Sequence, residues 1–364
     1  MKKIFFIFAL AASFSLNAQF VTSPAKNVAE NQFDGVIYSL PRNVLRVEFC
    51  LEETTQKMGP YAEFAESLLG ITDVIKEDKT EIKIKNVDIQ VITESDPENV
   101  YFISFDDKGK DQLPGVILDE NGVIVAFGHE TVPAEMLRAG EFREIETDDS
   151  SSHEPISFVD IVEGNDSDDQ EAAPKRPTKE DRAKFAVEQI RKLRVAYFDI
   201  ISGFQEVAFG DATKYMSESI KSTENEYLSL FKGKTVKRTC SKVVYVVPES
   251  NQLNSSVTIA RFSGSKGLLD AGSKSGEAVK IQFESCATLK NVKAVADDVK
   301  TSAQANKLFY RIPESADVKV SCDNKTLAEG RFKISQFGKV QLIQPKGRRI
   351  VFNPGTGQVI SIVH

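Results

Sequence analysis

The chain has 364 residues, 41% of them hydrophobic and 27% charged, and at ~150 residues per domain its length predicts two or three domains. Its 21 Gly and 13 Pro exclude a low-complexity or collagen-like chain, and four Cys exclude a disulfide-dense scaffold or a multi-cluster iron–sulfur or zinc-ribbon protein. A net charge of −7 and a pI near 5.3 argue against a nucleic-acid-binding surface. What remains is a soluble, mildly acidic, multidomain protein, and composition alone names no function for it.

The first residues form an export signal. Lys2 and Lys3 precede an apolar run from Ile4 to Leu16, and Ala18 supplies the small residue before Gln19. This order predicts a signal peptide over 1–18 with cleavage between Ala18 and Gln19. Gln19 stands where a lipoprotein would need Cys, so lipidation is not expected. The run is too short for a span of ~20 residues, and no later stretch is apolar enough, so no transmembrane span is expected after processing. Loss of Lys2 and Lys3 takes the net charge to −9. Between Glu144 and Glu171 lie eleven Asp or Glu and no Lys or Arg, so the acidity resides in that segment.

Residues 19–35 read as an N-terminal extension, followed by strands over 36–40 and 44–51 joined at Pro41. In the second, Leu45, Val47, Phe49 and Leu51 alternate with Arg46, Glu48, Cys50 and Glu52, the period of a half-buried strand that places Cys50 on the polar face. Gly59-Pro60 opens a helix whose apolar side is Tyr61, Phe64, Ala65 and Leu68 and whose stop is Gly70. Strands are predicted over 81–93, 100–105, 116–119 and 123–127, with Asn121-Gly122 as a hairpin turn. Residues 36–143 thus form an α+β unit.

Residues 144–177 read as an acidic linker, extended by like-charge repulsion and accessible to proteases. Within it, Ile156–Val162 is apolar enough to dock on a neighbouring sheet edge. The helical section, 178–233, opens with a capping box at Thr178 and Asp181 and continues at helical spacing to about Ile201. A second helix is predicted over 211–220, and a third from a capping box at Thr223 to just before Gly233.

Residues 234–364 are β-rich. Strands are predicted over 242–247, 256–262, 277–283, 307–312, 317–322, 326–335, 339–343, 348–352 and 359–363. Asp323-Asn324, Phe337-Gly338 and Pro354-Gly355 mark turns. The fold class is therefore α+β multidomain: an N-terminal α+β unit, a short helical middle section and a C-terminal antiparallel β-sandwich or partly open barrel. Cys50, Cys240, Cys286 and Cys322 allow three complete pairings, and buried free thiols fit equally well. No Cys-x-x-Cys occurs.

Tyr38-Ser39-Leu40-Pro41, the Gly59-Pro60-Tyr61-Ala62 to Leu69-Gly70-Ile71 helix and Asp96-Pro97 resemble the first half of an uncharacterised family of exported Bacteroidota proteins, a domain-of-unknown-function family. Ala183 to Arg194, Phe231-Lys232-Gly233-Lys234, Tyr310-Arg311-Ile312-Pro313 and Gln336-Phe337-Gly338 are similar to its second half. The resemblance spans roughly residues 36–363 and implies an envelope location without implying an activity. Tyr-x-Leu/Ile-Pro occurs at 38–41 and again at 310–313. Beyond those four residues the inward and outward positions fall out of register, which favours ordinary strand–turn chemistry over duplication.

Of three His, His153 lies in the acidic linker, His364 is the final residue and only His129, beside Glu130, follows a strand. No Gly-x-Ser-x-Gly or His-Glu-x-x-His occurs. The stretch from Gly267 to Ser275 misses a phosphate loop because Ser273 separates Gly272 from Lys274 and a strand follows. Asn165–Asp169 lacks the spacing and central Gly of a calcium loop. No catalytic, cofactor-binding or metal residues are assigned, and no cofactor is expected. The reading is a non-catalytic binding or structural protein of the Gram-negative envelope, periplasmic or outer-membrane-associated. Its expected partner is an envelope protein or a cell-wall or surface polymer, not nucleic acid. The alternative is an envelope hydrolase acting on glycans through a carboxylate pair.

Overall fold

The computed structural model describes residues 20–28, 35–105, 115–128, 156–159, 177–202 and 212–363. The predicted cleavage site at Ala18 and Gln19, the three histidines, Asn165–Asp169 and most of the acidic segment lie outside them.

The architecture is mostly β, with a short helical section in the middle of the chain. Strands β2 (Gly35–Lys57) and β3 (Lys79–Phe105) form a long antiparallel pair. The predicted alternation holds: Leu45, Val47, Phe49 and Leu51 are all buried, each stabilising by about 1.5–3 kcal/mol. The expected break at Pro41 is absent. β2 runs through Pro41, and the two strands predicted over 81–93 and 100–105 are one. At this point the single residue Leu40 lies opposite four, Asp96–Asn99, a bulge that takes Pro97 out of the ladder.

The second pair, β11 (Leu308–Cys322) and β12 (Lys325–Ile343), is built the same way. Pro313 alone lies opposite Ser335–Gly338. Each of these strands was predicted as two, and Phe337-Gly338, predicted as a turn, lies inside the bulge. The Asp323-Asn324 turn does close the hairpin, both residues having positive φ as a two-residue loop requires. Both Tyr-x-x-Pro motifs therefore mark a bulge. The matching residues face opposite ways: Tyr38 is fully buried and Tyr310 is not, while Phe309 and Arg311 turn inward.

Three sheets result, with orders β10-β1-β3-β2-β6, β12-β11-β9-β7-β8 and β14-β13-β5-β4. The remaining strands are β1 (Phe20–Pro24), β4 (Val116–Leu118), β5 (Ile124–Phe127), β6 (Lys234–Val246), β7 (Ser256–Ser263), β8 (Gly267–Asp270), β9 (Glu277–Ser285), β10 (Gln304–Ala305), β13 (Arg349–Phe352) and β14 (Val359–Val363). All ladders between these strands are antiparallel. The second sheet curls into a half-barrel near the C-terminus. The β4–β5 hairpin turns at Asn121-Gly122, where the Asp119 carboxylate accepts from the backbone N–H groups of Asn121 and Val123. The third sheet joins this hairpin to β13 and β14, and the first joins β6 to β2. Backbone pairing thus crosses from one side of the acidic segment to the other.

Two apolar cores lie on either side of the bulges. One packs Leu45, Val47, Phe49 and Leu51 against Ile281, Phe283, Val318 and Val320 of the second sheet. The other joins Tyr38, Tyr101 and Phe309 to Ile124, Phe127, Ile350 and Phe352 of the third sheet and its surroundings. A third, helical core is formed by α1 (Ala65–Leu69), α2 (Lys179–Ser202) and α3 (Ala212–Lys232). Gly70 ends α1 with φ 67°, the left-handed geometry its lack of Cβ permits. The Thr178 box forms: its hydroxyl donates to Asp181 Oδ2 at 2.6 Å and accepts from the Asp181 N–H at 3.2 Å. The second box does not form. α3 is one helix where two were predicted, and the Thr223 hydroxyl donates back to the Ser219 carbonyl at 2.9 Å.

Candidate functional site

On β9, β11 and β12 the inward residues Ile281, Phe283, Val318 and Val320 fill the core, so their neighbours face solvent. The register aligns these outward side chains into two rows. Glu284, Asp317 and Arg331 form one row across the three strands, and Gln282, Lys319 and Glu329 form the next. Together with the backbone of Val318 and Gly330 they line an open depression of about 800 Å³.

Two members of the first row are joined by an ion pair. Arg331 donates through Nε to Asp317 Oδ1 at 2.7 Å and through a terminal nitrogen to Oδ2 at 2.9 Å. This fork holds the Asp317 carboxyl below its usual range, with a smaller contribution from the Cys286 thiol. The same contact raises the Arg331 guanidinium, so both groups stay charged.

The segment that follows β9 is fixed by a carboxylate inside the fold. Glu314, next to Pro313, is buried. It accepts from the Thr288 N–H at 2.8 Å, the Thr288 hydroxyl at 2.7 Å and the Leu289 N–H at 3.0 Å. Lys339 donates to the Leu289 carbonyl at 2.8 Å and to that of Val292. These bonds hold the segment after β9 against the bulge and set Cys286 beside Asp317. Chemically, the face offers carboxylate and amide acceptors and ammonium, guanidinium and amide donors about 4.8 Å apart across the strands. Glu284 and Asp317 are directly opposite, which places their Cβ atoms about 5 Å apart.

No sequence signal singled out these residues. The alternation of charged with apolar side chains in Asp317–Val320 carries the face, and it becomes legible only once the three-strand register is known. The stretch from Gly267 to Ser275 forms β8 and a turn leading to β9, with no helix after the glycines. All four cysteines carry free thiols: Cys322 is buried, Cys50 and Cys286 are half-buried and Cys240 is exposed. Among the described residues no three His, Cys, Asp or Glu converge as a metal-ligand set, and no helix is long and apolar enough to cross a membrane.

Residues 34–360 match a domain of unknown function, DUF4831. The chain belongs to the DUF4831 family. The match runs through both bulged hairpins, the helical section and the ladder face, from β2 to the first residues of β14. No curated protein and no solved structure matches the chain.

Proposed function

We propose that the protein is an exported, non-catalytic binding protein of the Gram-negative envelope that holds a polar partner on the face of β9, β11 and β12. The observation that carries this reading is the two-row ladder itself. Its donors and acceptors are mounted on rigid strands, and one row is pre-set by the Asp317–Arg331 fork, which reduces the ordering needed on binding. The partner is a cell-wall or surface polymer or another envelope protein, met by hydrogen bonds on an open surface. Export rests on the Lys2-Lys3, apolar run and Ala18 order, with a mature chain starting at Gln19.

Crosslinking in intact cells followed by mass spectrometry tests the location and the partner. Purified cell-wall and surface polymers are then titrated against the mature chain. A Lys319→Ala, Arg331→Ala variant should bind the captured partner at least tenfold more weakly. Unaltered binding would remove the ladder from the interface. N-terminal sequencing that finds residues 1–18 retained would remove the export step.

One observation favours a second reading, an envelope glycan hydrolase. Glu284 and Asp317 stand directly opposite each other on neighbouring strands, a carboxylate pair of the kind in which a retaining glycosidase uses one group as the nucleophile and the other as the acid. Asp317, held ionised by Arg331, would be the nucleophile. Turnover of an envelope glycan that Glu284→Gln and Asp317→Asn each abolish would establish this reading in place of the first.

A further inference from the structure

Within the acidic segment, Ile156–Val159 occupies a defined seat. Phe158 and Val159 pack against the helical core of Tyr61, Ala65, Ala183, Ile190 and Phe231. Lys57 Nζ donates to the Ile156 carbonyl at 3.4 Å, and Lys234 Nζ donates to that of Ser157 at 2.9 Å. Lys234 also bonds Glu226 at 2.6 Å and lies 5.5 Å from the Phe158 ring centroid. No backbone ladder pairs 156–159 with a strand: of the Ile156–Val162 expected to dock on a sheet edge, these residues rest on the helical core and on lysines at the end of β2 and the start of the edge strand β6, and 160–162 lie outside the described residues. Val74 of the same apolar cluster also lines a depression of about 450 Å³ that carries Lys76, Lys79 and Lys232 against Asp73 and Glu77.

We infer that this seat is a peptide-binding groove, filled by the chain's own Ile156–Val159, whose external ligand is an extended apolar segment flanked by carboxylates. Three features define the ligand. The groove takes two consecutive apolar side chains. It grips backbone carbonyls, which any sequence offers, so specificity comes from the apolar pair and the flanking charge. The cations around it complement a stretch with eleven carboxylates and no Lys or Arg. A tethered segment competes at an effective concentration on the order of millimolar, so the groove is self-blocked until that segment is displaced. The inference does not depend on the ladder face.

The test uses the full mature chain with Phe158→Ser and Val159→Ser, which empties the seat. The probe is a fluorescein-labelled peptide of residues 152–164, followed by anisotropy, with a control peptide carrying Ser at 158 and 159. The emptied chain should bind the probe at least tenfold more tightly than the wild type and should not bind the control. Raising salt, or adding Lys234→Gln, should weaken binding several-fold. A folded emptied chain that ignores the probe, or a wild type that binds it equally well, overturns the inference. If the substitutions prevent folding, protease sites introduced at 147–150 and 166–170 allow the segment to be cut after folding. The excised peptide should then co-elute with the protein and be displaced by excess probe; its immediate loss on gel filtration overturns the inference.

Discussion

Arg311 and Asp96 form an ion pair of 2.7 Å with side-chain exposures of only 5% and 9%, and it joins the two bulged hairpins. Asp96 opens the four-residue bulge of β3, and Arg311 comes from the strand whose own bulge is Pro313. The same guanidinium donates to the Pro41 carbonyl at 2.9 Å. The grip is reciprocal. Asn43, just after Pro41, accepts from the Ser335 N–H at 2.7 Å and exchanges two bonds with the Gln336 side chain. Each bulge is therefore held by a side chain of the other hairpin, which is why both ladders tolerate the interruption: the freed polar groups find partners.

Removing one partner of the pair should be severe. Arg311→Met leaves the buried Asp96 carboxylate without its counter-charge and removes the bond to the Pro41 carbonyl, and urea denaturation should show a loss of about 3–5 kcal/mol. Adding Asp96→Leu should recover part of that loss, because the isolated buried charge disappears. If the single variant is as stable as the wild type, the crossing is not held by this pair.

Tyr38 and Tyr101 lie beside it. The Tyr38 hydroxyl accepts from the Phe309 N–H at 3.0 Å, and Tyr101 stacks on the Phe309 ring at 4.3 Å. Burial raises the pKa of both, for Tyr101 to about 12. A raised phenol binds its proton more tightly in the folded chain than in the unfolded one. The stabilisation is fully present below pH ~10 and is lost as pH rises toward 12. Both should remain largely un-ionised at pH 11 by absorbance at 295 nm and titrate fully only with unfolding. Tyr101→Phe should make the alkaline transition shallower.

The local chemistry of the chain was readable from sequence; its long strands were not. Leu45 to Leu51, Asn121-Gly122, Gly70 and Thr178 each act through neighbours within a few residues, so pattern and propensity locate them. Pro41, Pro97 and Pro313 read as strand ends because proline cannot donate to a ladder. Here Pro97 and Pro313 sit within bulges and Pro41 borders one, an arrangement set by contacts with residues more than two hundred positions away. The same holds for the ladder face. Glu284, Asp317 and Arg331 are ordinary surface charges until three strands bring them into one row.

Gly338 offers a sharper test of the bulge. A Cβ there would overlap the Ile312 carbonyl oxygen and stand 2.8 Å from Pro313 Cα. Both are backbone atoms of the opposing strand and cannot rotate away. Gly338→Ala should therefore cost about 1–3 kcal/mol by thermal or urea unfolding. Gly272→Ala, with nothing within 4 Å of the added carbon, should stay within about 0.5 kcal/mol of the wild type. If Phe337-Gly338 were an exposed turn, the two variants would behave alike.

Thr178 and Thr223 test the helical section in the same comparative way. Each begins a Thr-x-x-acid pattern and is readable as an N-cap. Only Thr178 satisfies backbone at a helix start; Thr223 lies in the middle of α3 and bonds the carbonyl one turn back. Thr178→Ala should cost about 1 kcal/mol, the usual loss of a cap. Thr223→Ala should be neutral or gain about 0.5 kcal/mol, because alanine is the better residue inside a helix. Equal losses at both sites would mean that α3 is two helices with a break near Thr223. A loss at Thr178 alone makes it a single rod running to Phe231, where it closes the core on which Phe158 and Val159 rest.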